Sequence, residues 1–291
     1  MIAKAAATIR QCNFRSAYKK AVCAALLAGL SVMLSCTKPQ IKDEYGAIQV
    51  GELAASYKDG EYIAHYAYYE PKSGYAPVLK LNVSGGVINS VDFDYYNDIG
   101  EKRSEEQTDN TIAIEMLKSD RKTLNQDLIR KQKASFDGAS ALRSEWAADY
   151  KKLAEELINS MTKEYSGPIA IYNNMNYGAV YTDLATARVF SLSVDAFGDE
   201  LVSIRFRQYL SADVRAEEDL LYIESFLSEH GMDYLQEVEI LEELKGDIDA
   251  FEKIMPEGYP VPVLYEAFNT MASQISELAS PFSLESLELS L

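Results

Sequence analysis

A chain of 291 residues with 45 acidic and 28 basic side chains has a net charge of −17 and length for about two domains of roughly 150 residues. Its 47% hydrophobic content is that of a folded protein. An acidic chain without a basic cluster is a poor partner for nucleic acid or an anionic lipid surface.

The amino terminus has the shape of an export signal. Lys4, Arg10, Arg15, Lys19 and Lys20 precede the apolar run Ala21 to Leu34, and Ser35-Cys36 follows. That run is short for a spanning helix, and it reads as a secretory segment or a single anchor. The three cysteines are Cys12, Cys23 and Cys36, so nothing after Cys36 can form a disulfide. A lone thiol at a signal boundary fits lipidation better than folding. On this reading 1–35 is a lipoprotein signal peptide and 36–56 a polar tether. Met33-Leu34-Ser35-Cys36 resembles a bacterial lipobox, which implies a lipid on Cys36 and a place in the cell envelope, periplasmic or surface-exposed.

From Tyr57 the pattern turns to period two. Tyr62, Ala64, Tyr66 and Tyr68 alternate with Ile63, His65 and Ala67; Leu79, Leu81 and Val83 alternate with polar residues; so do Val91, Phe93 and Tyr95. Such alternation predicts strands with one buried face, and Ser84-Gly85-Gly86 predicts a tight hairpin in an antiparallel meander. Thr111 to Gln132 predicts a helix with Ile114, Leu117, Leu124 and Leu128 inward. Ala141 to Met161 predicts a second, with Leu142, Trp146, Tyr150, Leu153 and Leu157 on one core stripe.

After Gly167-Pro168 the strand pattern returns. Phe190, Leu192 and Val194 precede a turn at Phe197-Gly198-Asp199, and Val202, Ile204 and Phe206 follow. Leu192 to Val194 lies 111 residues after Leu81 to Val83, and Ile204 to Phe206 lies 113 after Val91 to Phe93. Helices are expected over Ala212 to Ser228, Met232 to Leu244, and along Leu264, Phe268, Met271, Ile275 and Leu278. The predicted fold is α+β, with tandem domains over 57–161 and 168–280, each a β-meander packed by helices.

Chemistry-bearing motifs are few. His65 and His230 are too few for a zinc site, and no P-loop, Gly-x-Ser-x-Gly elbow or Cys–His arrangement occurs. Asp92-Phe93-Asp94 and Asp247-Ile248-Asp249 read as solvated edges. Tyr66, Tyr68, Tyr95 and Tyr96 read as a sheet face.

Tyr57 to Tyr62, the hairpin with its Gly-Gly turn, Asp94-Tyr95-Tyr96-Asn97 and the Gly100-to-Ser104 run together resemble the FMN-binding domain family, in particular its extracytoplasmic lipoprotein members. Asp137-Gly138-Ala139-Ser140 falls where that family carries its flavin-attachment signature. The resemblance implies FMN held at Asp137, Gly138, Ala139 and Ser140, with a phosphoester to Ser140 made by a flavin transferase, and redox partners outside the membrane. Backbone N–H groups at a helix start suit a phosphate. Asp137 stands where Ser or Thr is usual, and Ala134 where an acid is common. Ser140 as a simple helix cap is the alternative. Opposite this loop lies Glu257-Gly258-Tyr259-Pro260, where Pro260 offers neither hydroxyl nor N–H. Two functions stay open: a lipid-anchored FMN electron carrier, or a non-catalytic envelope binding protein that keeps the fold without the cofactor.

Overall fold

The computed structural model describes residues 40–43, 46–49, 57–107, 111–134, 145–163, 165, 167–255 and 259–288. Cys36, Leu142 and the Asp137–Ser140 loop lie outside the described residues. The fold is α+β and contains two four-stranded sheets with helices. Strands β1 (Gln40–Asp43) and β2 (Gly46–Gln49) form a separate hairpin.

The first sheet is the expected meander with one strand added. Strands β3 (Gly60–Tyr66), β4 (Ala76–Ser84) and β5 (Val87–Tyr96) run antiparallel, and β6 (Ile169–Ile171) joins β3 in parallel, giving the order β5-β4-β3-β6. Gly85 and Gly86 both take positive φ, 65° and 77°, the conformation that a tight hairpin of right-handed twist needs. Tyr62, Ala64, Leu79, Leu81, Phe93 and Tyr95 face a core closed by helices α1 (Thr111–Lys131) and α2 (Glu145–Met161). Leu117, Leu124 and Leu128 come from α1, and Tyr150, Leu153 and Leu157 from α2, all fully or nearly fully buried. Each such side chain is worth about 1.5–3 kcal/mol of transfer free energy.

Helix α1 also satisfies the outer edge of β5. Asn125 Nδ2 donates to Val91 O (3.0 Å), while Gln132 accepts from Ile88 N (2.7 Å) and donates to Ile88 O (2.9 Å) through its amide. A side-chain amide here takes the place of a neighbouring strand and keeps the edge from templating another chain.

The second sheet is wholly antiparallel: β7 (Asn174–Asp183), β8 (Arg188–Phe197), β9 (Glu200–Ser211) and β10 (Val214–Arg215). Its core lies against α3 (Leu220–His230), α4 (Tyr234–Glu242) and α5 (Pro262–Leu278). The two meanders share one register. In the first, Asn82 pairs Ser90 and Val83 pairs Ile88; in the second, Asp195 pairs Ser203 and Ala196 pairs Leu201. Each second hairpin strand thus carries a bulge at the same place, and both paired strands are offset by 113 residues rather than by 111 for one of them. Across the first strand pair, Tyr62, Ala64 and Tyr66 correspond to Tyr177, Ala179 and Tyr181, since Glu61 pairs Asn82 as Asn176 pairs Asp195.

Four local expectations change. The bulge turns Val202 outward, 57% exposed, and brings Leu201 into the core at 5%. The expected helix from Ala212 begins only at Leu220, where Asp219 caps it by accepting from Leu221 N and Tyr222 N; Val214 and Arg215 turn back as a strand. Leu278, at the end of α5, is 42% exposed. Asp94 is no solvated edge: it is fully buried, bonded by Ser104 and paired with Arg121 at 2.6 Å. Burial raises its carboxyl pKa, and the Ser104 hydroxyl and Arg121 oppose that shift.

The chain then returns to the first sheet. Phe282 N donates to Ala67 O (2.8 Å), Tyr69 N donates to Ser280 O (3.2 Å), and a bridge joins Tyr68 to Pro281. Phe282 packs on His65 (4.7 Å) and Tyr69 (5.3 Å), and Leu287 of the short helix α6 (Glu285–Glu288) joins Ala76, Val78 and Tyr96. This strap buries one end of the face that period-two alternation assigns to water, around His65, Ala76, Val78 and Tyr96, while Glu61, Ser84 and Ser90 at the other end stay exposed.

Candidate functional site

Where β3 and β5 end and α2 begins, the first sheet opens into a cleft of about 660 Å³. Its walls carry five aromatic side chains, Tyr66 from the end of β3, Tyr68 just beyond it, Tyr75 from the following turn, Tyr95 from β5 and Trp146 from α2, together with the charged Glu70, Lys72, Arg103, Glu106 and Asp149. Period two places Tyr66 and Tyr95 on the inner face, and the sheet ends before other side chains fill the space between them and α2. Tyr96 points the other way, beside Lys80 and Lys102, so the four tyrosines do not share a face.

Asp149 organises the floor. It accepts from Tyr66 Oη at 2.8 Å and from Tyr95 Oη at 2.6 Å, one hydroxyl on each carboxylate oxygen. Bonds to an ionised acceptor are the stronger kind, so both rings are held in fixed orientation. Burial first, and then Asp149, push the Tyr66 pKa above its ordinary value, so Tyr66 stays a neutral donor. Lys152 sits over the Tyr66 ring (5.1 Å) and donates to Tyr172 O (2.8 Å), linking α2 to the segment that enters the second sheet.

Two buried polar atoms at this cleft have no hydrogen-bond partner among the described residues: the donor Trp146 Nε1 and the acceptor Asn173 Oδ1. Trp146 is 9% exposed. Sequence periodicity assigns it to the core, and it is buried, yet its indole N–H is left over. An unsatisfied buried donor or acceptor costs about 1–3 kcal/mol. A donor and an acceptor left open beside aromatic walls suit a planar ligand with a polar edge. The signal that could reveal this in the sequence is Asp149 one turn after Trp146, a carboxylate on the apolar side of the helix.

The second unit does not repeat the site. Register places Tyr181 opposite Tyr66 and Gln208 opposite Tyr95. Phe93 touches Tyr150 edge-on as Phe206 neighbours Phe268, which sets Leu264 opposite Trp146 and Ala267 opposite Asp149. Gln208 instead bonds Tyr222 (3.0 Å). Three of the four groups that shape the cleft are thus replaced by Gln, Leu and Ala. Of the loop opposite Asp137–Ser140, Glu257 and Gly258 lie outside the described residues, and Tyr259 bonds Glu237.

No family model matches the chain, and no curated protein matches it. Among solved structures it is similar to the crystal structure of the CPE2226 protein from Clostridium perfringens, at 23% identity and a TM-score of 0.32, over 40% of this chain and 97% of that one. That likeness assigns neither a family nor an activity. No helix among the described residues is long and apolar enough to cross a membrane. Fold and site define an α+β protein of two sheet-bearing units, with a tyrosine- and tryptophan-walled cleft in the first.

Proposed function

We propose that the protein binds FMN in this cleft and serves as a lipid-anchored extracytoplasmic electron carrier, with Asp137, Gly138, Ala139 and Ser140 at the phosphate and Cys36 bearing the lipid. The observation that carries the reading is the pair of open groups, Trp146 Nε1 and Asn173 Oδ1, between tyrosine walls. An isoalloxazine ring is planar, apolar on its faces and lined with donors and acceptors along one edge, so these residues fit it. Ser140 precedes Trp146 by six residues, a span of at most roughly 20 Å, so a phosphate at Ser140 and a ring beside Trp146 are compatible with one cofactor. Bound FMN would supply reversible one- and two-electron transfer. The chain's own part is to hold the ring between Tyr66, Tyr95 and Trp146, to fix the tyrosines through Asp149, and to exclude water from the ring face.

The chain has one tryptophan, so Trp146 fluorescence reads the cleft directly. FMN added to the exported protein should quench it. Co-expression with a flavin transferase should add one FMN mass to a peptide containing Ser140. Quenching by FMN without an adduct would leave a non-covalent flavoprotein. Neither quenching nor an adduct, with a family member labelled in the same host, would leave the cofactor-free binding protein.

A further inference from the structure

We propose that Arg103 selects the charged flavin: the cleft takes a planar aromatic ligand bearing a phosphate monoester, and discriminates against the same ring system without it. This rests on the flavin reading above. Arg103 opens a 3-10 turn, Arg103–Glu105, at the cleft wall. The turn is pinned from below, because the next residue, Ser104, is buried and donates its N–H to Asp94 Oδ1 at 3.2 Å. Asp94 is itself held by Arg121. The Arg103 guanidinium lies over two rings, 5.7 Å from the centre of Tyr75 and 5.8 Å from that of Tyr95. Tyr95 is fixed in turn by Asp149.

A guanidinium within about 6 Å of two ring centres is attracted to both while its five N–H donors remain to be satisfied. Among the described residues no carboxylate lies within 4.0 Å of the Arg103 guanidinium, which makes no side-chain hydrogen bond to any of them; only the Arg103 carbonyl is engaged, by Glu106 N at 3.2 Å. Glu70 and Glu106 line the same cleft and leave it unpaired. In a chain with 45 acidic residues, a positioned and unpaired arginine in an aromatic cleft is a ready partner for an anion. Its planar fork matches a phosphate with two parallel N–H···O bonds. Glu70, Glu106 and Asp149 line the same cleft and disfavour an anion away from its two cations, Arg103 and Lys72, and of these Arg103 is the one held against the aromatic walls.

The test titrates FMN and riboflavin separately into the protein and into Arg103→Gln and Arg103→Lys, following Trp146 fluorescence. The wild type should prefer FMN by about tenfold or more, Arg103→Gln should lose that preference while holding riboflavin unchanged, and Arg103→Lys should keep part of it. Raising the salt should weaken FMN and spare riboflavin. Equal affinity of the wild type for the two flavins, or an equal loss of both in Arg103→Gln, would overturn the role of Arg103 and leave the flavin reading standing. Binding of neither flavin to the wild type would overturn both.

Discussion

Asn89 and Val202 are the same residue of two meanders: each is the extra residue of a bulge two positions beyond the start of its strand, β5 in one sheet and β9 in the other. A bulge shifts the alternation by one from that point on, so the face each later residue takes follows from it. In both sheets it brings an apolar residue next to the hairpin, Ile88 or Leu201, into the core.

The bulge reverses the order of importance of two adjacent residues. Leu201→Ala should cost about 2–4 kcal/mol, and Val202→Thr should stay within about 0.5 kcal/mol. Urea denaturation of the two variants measures both. Equal losses would mean that β9 runs without the bulge.

The hairpin glycines differ in what stands beside them. Gly85 and Gly198 both have positive φ, 65° and 62°, so an alanine at either pays roughly 1–2 kcal/mol in backbone strain. Around Gly85 a methyl group meets nothing within 4 Å, whereas at Gly198 it would lie 2.6 Å from Tyr172 Cδ1. Gly198→Ala should therefore be the more destabilising by denaturant midpoint, and Gly198→Ala with Tyr172→Ala should recover part of the difference.

His65 makes the strap sensitive to acid. Burial lowers its pKa from 6.5, and the bond of Nδ1 to Tyr66 O (2.9 Å) opposes this less strongly. The folded state therefore favours the neutral ring. Its contribution is present above the unfolded pKa and is lost as pH falls below about 6.5 through the folded value. Between pH 8 and pH 5 the wild type should lose more stability than His65→Leu. Parallel losses would show that the acid sensitivity arises elsewhere.

Tyr66, Tyr95 and Asp149 act as one unit. Tyr66→Phe or Tyr95→Phe should each cost about 1–2 kcal/mol of stability. In an Asp149→Ala background either change should cost clearly less, because the acceptor is already gone. A double-mutant cycle by chemical denaturation gives the coupling, and strict additivity would mean that the two bonds contribute nothing.

The meander was legible because alternation is local: Tyr62 to Tyr66, Leu79 to Val83 and Val91 to Tyr95 each state their own face, and Gly85-Gly86 states the turn. Strand β7 was not, since Gly178 and Ala179 dilute its alternation. The β9–β10 turn at Ala212-Asp213 has no glycine or proline to mark it. The strap was invisible for another reason. Nothing in Pro281-Phe282 says that it will lie on His65, more than two hundred residues earlier, so the burial of one end of the sheet's outer face could not be read. The cleft is likewise a product of distance. Tyr66, Tyr95 and Asp149 carry no shared spacing, and only the closing of α2 over the sheet brings them together.

The strand-to-helix ion pairs of the two units have opposite polarity. Asp94 on β5 meets Arg121 on α1, while Arg207 on β9, 113 residues later, meets Glu242 on α4 at 2.6 Å. Two similar meanders on one chain invite a helix to dock on the wrong sheet while the protein folds. Such an exchange would set Arg121 against Arg207 and Glu242 against Asp94, two like-charge encounters in place of two attractions. The inverted pairs thus work as a keying of each helix to its own sheet, making the correct partner of each legible to the chain as it assembles.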